Sequence, residues 1–170
     1  MDVINRINHT RFLGREFLTW IWYRSDIGEG RFDVADGPIE LWFDAKLTLE
    51  AQGDVKEQNV VKADNPTETD EARAALASGK LVSEARLRVV KGQKQWSFSV
   101  KGDSLGLSGV KIPALLSRDD DDQLYERFYL LEELEEDFNA LFKEFIDLRL
   151  DDEGWSDEVN QIRRWVHGAD

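Results

Sequence analysis

The chain contains no cysteine, two histidines, one methionine and three prolines in 170 residues. Without cysteine there is no disulfide, no thiolate nucleophile and no zinc ribbon, a usage that suits a reducing cytosol. His9 and His167 stand near opposite ends of the chain, which reads as two separate surface residues and not as a ligand pair. No apolar run approaches the roughly 18 residues that a membrane span needs. The opening Met1-Asp2-Val3-Ile4-Asn5-Arg6 lacks the basic start and apolar core of a signal peptide. The expectation is a cytoplasmic protein with no membrane partner. G-x-S-x-G, the P-loop and G-x-G-x-x-G are all missing, so neither catalytic residues nor a cofactor are expected.

What is present is apolar mass and acid. Hydrophobic residues make up 41%, with nine Phe and six Trp, enough for one core. The net charge of −13 argues against an undirected electrostatic grip on nucleic acid. It is unevenly spread, however. Residues 1–112 hold 16 basic and 17 acidic side chains, whereas residues 113–170 hold 6 and 18. The first two-thirds is thus nearly neutral and leaves room for a local basic face.

Periodicity orders the elements. Residues 10–24 carry Leu13, Phe17, Trp20, Ile21 and Arg24 on one helical face, with Thr10 as a cap. Trp20, Trp22 and Tyr23 spread over more than one face, so this helix is either deeply buried or docked on a partner. Residues 26–37 read as a loop or a short edge strand. Residues 38–50 alternate, with Ile39, Leu41, Phe43, Ala45, Leu47 and Leu49 on one side. Gly53-Asp54 breaks the strand, and Val55–Lys62 returns antiparallel. A short helix over 66–78 has Asn65 as its cap, Pro66 in its first turn and Gly79 as its stop.

A hairpin follows, residues 80–90 and 93–101 around Lys91-Gly92. It pairs Leu87 with Trp96, Ala85 with Phe98 and Ser83 with Val100 on the apolar face. Arg88 with Gln95, Arg86 with Ser97, Glu84 with Ser99 and Val82 with Lys101 fall on the polar face. Residues 104–112 form one more strand, bent near Gly109. Asp119–Asp122 reads as a solvated loop. Residues 123–149 form a long helix with Leu124, Phe128, Leu131, Leu134, Phe138, Leu141, Phe145 and Leu148 on its stripe. That stripe is either core or a dimer interface. A last helix over 156–166 has Ser156 as its cap. The fold class is α+β: one domain over 1–170, an antiparallel sheet of about five strands with an N-terminal helix, a short middle helix and a long C-terminal helix packed on it. The sheet-rich part covers 10–113 and the acidic helical part 119–167.

Three patterns carry chemistry. Asp119–Asp122 clusters carboxylates as a hard cation would want, but without EF-hand spacing or its turn glycine. Asp44 and Lys46 share a strand face, with Asp36 and Glu40 upstream, as in metal-dependent nucleases; the plainer reading is a solvated charge face. The hairpin's polar face offers Arg86, Arg88 and Lys101 interleaved with Gln95, Ser97 and Ser99, a row that can lie along phosphates. Lys80, Lys91 and Lys94 lie near its ends.

The stretches FLGREFLTWIWYRSD, PIELWFDAKLTLEAQGDVKEQNVVKADNP, LVSEARLRVVKGQKQWSFSVKGDSLGLSGVKIP and LYERFYLLEELEEDFNALFKEFIDLRL resemble the C-terminal half of the bacterial recombination-associated RdgC family, over about residues 11–150. The resemblance implies a nucleoid-associated, non-enzymatic protein that binds double-stranded DNA without sequence preference, modulates recombination and self-associates. It marks Lys80, after the matching Gly79, as a DNA contact beside Arg86, Arg88, Lys101 and Lys94. Asp64 departs from the family's pattern, and the family's N-terminal half has no counterpart here. Some members bear a "putative exonuclease" label, which Asp44 and Lys46 support little. The alternative expectation is an acidic module that meets a basic or DNA-binding protein, or a second copy, through the long C-terminal helix.

Overall fold

The computed structural model describes residues 3–53 and 56–168, with side chains from residue 13 onward. Its elements are α1 (Val3–Ile27), β1 (Arg31–Val34), β2 (Gly37–Glu50), β3 (Gln58–Lys62), a 3₁₀ turn (Pro66–Glu68) and α2 (Asp70–Ala77). They continue with β4 (Leu81–Lys91), β5 (Lys94–Lys101), β6 (Leu107–Lys111), α3 (Asp120–Leu150) and α4 (Asp152–Val166). The architecture is α+β. The sheet is antiparallel with order β1-β2-β4-β5-β6, and β3 also pairs with β2. It therefore has six strands, because residues 31–34 form an edge strand. The start of the expected strand at Val55 lies outside the described residues.

From Phe17 to Tyr23 α1 is buried almost all round: Phe17, Leu18, Trp20, Ile21, Trp22 and Tyr23 are each at most 3% exposed. One side of α1 meets β4, and the others meet α3 and α4. Phe17 packs edge-on to Phe138 and Phe142 of α3, and Trp22 edge-on to Trp165 of α4. The helices lie on the sheet face formed by Leu41, Phe43, Leu87, Val89, Trp96, Phe98 and Val100. Gly14 allows a close approach: a Cβ there would overlap the carbonyl oxygen of Gly102, just past the end of β5. Among the described residues no helix is long and apolar enough to cross a membrane.

Several local expectations shift. α1 begins at Val3, so Thr10 is interior to it and is not its cap. The 66–78 helix is a 3₁₀ turn followed by α2. Thr69, not Asn65, caps α2 by accepting from the Ala72 N–H at 3.2 Å. α2 closes with N–H bonds from Gly79 to Leu76 O at 3.0 Å and from Lys80 to Ala75 O at 3.2 Å. The Asp run is no loop: Asp119 caps α3, and Asp120–Asp122 form its first turn, where carboxylates complement the helix dipole. α4 starts at Asp152, four residues before Ser156.

The hairpin register is displaced by two residues. Lys91 pairs with Lys94, Leu87 with Phe98 and Arg88 with Ser97. The two central residues are thus Gly92 and Gln93, not Lys91 and Gly92. Gly92 takes φ +61° at the first central position, which spares Lys91 a left-handed backbone. A shift of two keeps every side chain on its expected face. Val82 is the exception: a bulge between Thr48/Glu84 and Leu49/Val82 turns it into the core. Ala45 departs too. It sits at φ +59° in a bulge between Phe43/Leu87 and Leu47/Ala85, and it is exposed where alternation points it inward.

Candidate nucleic-acid interface

The helices cover one face of the sheet, and the other face carries the cations. Strand pairing places Trp42, Arg88, Ser97 and Lys111 in one transverse row across β2, β4, β5 and β6. The next row holds Arg86, Ser99 and Ser108, and the next Thr48, Glu84 and Lys101. Paired residues of an antiparallel ladder share a face, so these side chains form one surface. Lys111 belongs to it although the sequence reading did not single it out. Its position depends on how β6 registers against β5, which a bulge between Ser97 and Ser99 sets.

Arg86 lies flat over β5. Its Nη2 donates to Ser97 Oγ at 3.1 Å and its Nη1 to Ser99 Oγ at 3.4 Å. Arg88 is half-buried, and its Nε is shielded from solvent with no hydrogen-bond acceptor. Among the described residues Arg86, Arg88, Lys101 and Lys111 have no carboxylate within 4.0 Å. Glu84 lies on the same face, opposite Lys101, and its Oε1 stands 3.9 Å from Lys46 Nζ.

The structure brings Arg86, Arg88 and Lys101 together and sends Lys80 and Lys94 elsewhere. Lys80 Nζ donates to Asn59 Oδ1 at 2.6 Å and lies 3.8 Å from Glu57 Oε2, with its side chain largely buried against β3. Lys94 is on the helix side, 2.9 Å from Glu133 Oε2 of α3. Lys91 beside it bonds Asp137 at 3.1 Å and lies 3.5 Å from Glu133. Burial works against the charge on Lys91. The Asp137 hydrogen bond and the charges of Asp137, Glu133 and Asp36 outweigh it and hold the ammonium above the ordinary lysine range. Two of the hairpin's end lysines therefore pair with Glu133 and Asp137 of α3, on the helix side of the sheet.

A bulge at Ala45 lies between Asp44 and Lys46, and Lys46 Nζ stands 3.9 Å from Glu84 Oε1. Among the described residues no group of three or more His, Asp or Glu is placed to hold a metal ion. His167 caps the end of α4, and the side chain of His9 lies outside the described residues.

No family model, no curated protein and no solved structure matches the chain.

Proposed function

We propose that this chain is a non-enzymatic DNA-associated protein, whose helix-free sheet face lies along the phosphates of double-stranded DNA and whose action is on DNA transactions such as recombination. The observation that carries the reading is the set of cations Arg86, Arg88, Lys101 and Lys111 on one β-surface, none with a carboxylate within 4.0 Å among the described residues. The serines beside them add hydroxyl donors, and phosphate contacts draw on both kinds of group. The acidic helix α3 packs on the opposite layer, where Lys91 and Lys94 hold Glu133 and Asp137. The net charge of −13 then acts at a distance. At physiological ionic strength charges further apart than about 8 Å are largely screened. The resemblance to the RdgC C-terminal half supports the same reading, through the residues quoted for it, and a nucleoid location in the cytoplasm goes with it.

Binding of this kind is driven by counterion release and is indifferent to base sequence. Four phosphate contacts give a slope of about −3.6 in log K against log salt, and a loss of roughly 100-fold between 50 and 200 mM. Retardation of an arbitrary duplex at about 50 mM salt, where phosphate-driven binding is strong, is the test. Failure of the wild type to retard any duplex there overturns the proposal. Prolonged incubation of plasmid with Mg²⁺ or Mn²⁺ should leave it intact; nicking would make Asp44 and Lys46 the place to look.

A further inference from the structure

The long helix carries apolar residues on a second face beside the one it buries. Leu130, Leu134, Phe138, Leu141 and Phe145 form the buried face of α3. The sequence stripe instead places Leu124, Phe128 and Leu131 on that face, and all three are exposed. Phe128 is 63% exposed and Leu124 50%, and Tyr125 beside them is 72% exposed. These residues stand at i, i+1, i+4 and i+7 of one helix, a contiguous apolar ridge with no covering element among the described residues. Contiguous apolar surface rimmed by polar groups marks an interaction site.

Charge selects the occupant. Asp120, Asp121 and Asp122 bound the ridge at its N-terminal end, and Glu132, Glu135 and Glu136 at the other. All six are exposed. A second copy docked antiparallel about Phe128 would oppose Asp121 to Glu135 and Asp120 to Glu136, twice over by symmetry. A parallel copy would oppose each carboxylate to itself. Like charges placed face to face repel, so self-association meets carboxylates at both ends in either orientation. Nucleic acid meets the same obstacle.

We infer that this ridge docks a basic amphipathic helix of a partner protein, with the apolar residues of that helix on Leu124, Phe128 and Leu131 and its Lys or Arg residues over the two acidic ends. The site is independent of the proposed DNA surface, which lies on the other side of the sheet. A partner held here leaves Arg86 and Arg88 open, so the chain can join a basic protein to a duplex.

The test uses the full chain and two labelled model peptides of about 18 residues, long enough to span both acidic ends at 1.5 Å per residue. Both have Leu at i, i+3, i+4 and i+7 spacing; one has Lys at all other positions and the other Glu. Anisotropy should show saturable one-to-one binding of the Lys peptide and none of the Glu peptide. Leu124→Ala with Phe128→Ala should weaken it by about tenfold or more. These positions are exposed, so the variant keeps the wild-type melting curve. Equal binding of the two peptides overturns the inference. So does Lys-peptide binding that the double alanine variant retains, which is charge adsorption alone. Sedimentation showing a dimer that the same variant converts to monomer also overturns it, and assigns the ridge to a second copy.

Discussion

Arg86 of β4 donates to Ser97 of β5 at 3.1 Å, and no carboxylate among the described residues competes for its guanidinium. The contact holds the charge flat on the sheet instead of loose in solvent. A cation fixed by neutral hydroxyls keeps its full charge for a ligand, whereas one fixed by a carboxylate does not. Lys94 is the counter-example on the same hairpin, held at 2.9 Å by Glu133.

That contrast sets a first prediction. Lys111→Gln and Lys101→Gln should each weaken duplex binding several-fold and reduce the salt slope by about 1. Lys80→Gln and Lys94→Gln should leave the slope unchanged, because their ammonium groups are already paired. Salt titrations of the four variants by anisotropy check this. Equal losses in all four would mean that bulk charge, and not the sheet face, governs binding.

How much of this arrangement the sequence discloses depends on what each feature requires. The hairpin's faces are legible because alternation has a period of two and survives a register shift of two. The pairs themselves are not, because they follow from which residue takes the left-handed turn position, and Gly92 takes the first. The α3 stripe is legible from Leu134 onward. Towards the N-terminus it is not: the buried face continues through Leu130 and not Leu131, so Leu124, Phe128 and Leu131 read as core although they lie on a neighbouring, exposed face. Lys111 is invisible as a site residue without the β5–β6 ladder.

The clamp between hairpin and long helix supports a second prediction. Lys91→Met leaves Asp137, 5% exposed, without its partner. Stranding a buried carboxylate costs about 3 kcal/mol, to be read from urea unfolding. Adding Asp137→Leu should recover most of the loss, since a buried ion pair is often replaceable by apolar groups. The raised Lys91 pKa gives the sign with pH: its contribution is complete below the ordinary 10.5 and is lost as pH rises through the folded value. No loss in Lys91→Met would deny the clamp.

Gly14 sets two effects against each other. Helix propensity alone says that Gly14→Ala stabilises by about 1 kcal/mol. The overlap of a Cβ with the Gly102 carbonyl says the reverse, and overpacking a fitted site costs about 1–3 kcal/mol. Backbone against backbone yields little, so a net fall in the urea midpoint is expected. A rise would mean that α1 and the end of β5 stand further apart than described.

Glu126 accepts from the N–H groups of Leu116 at 2.7 Å and Ser117 at 2.9 Å, tying the β6–α3 connection to the helix. These bonds, the Leu116 N–H first, hold its carboxyl below the ordinary 4.5. A depressed carboxylate stabilises above its unfolded value, and that stabilisation is lost as pH falls through the folded one. The amide resonances of Leu116 and Ser117 should therefore titrate together with a midpoint below 4.5. They should cease to do so in Glu126→Gln. A midpoint at or above the ordinary value contradicts the assignment.

The most direct measurement is the affinity of one labelled duplex at about 50 mM salt, for the wild type and for Arg86→Glu with Arg88→Glu. Both side chains lie on the helix-free face, so the variant should keep the wild-type circular dichroism. The account predicts saturable wild-type binding that the double reversal abolishes. A folded variant that binds the duplex as tightly as the wild type would contradict it.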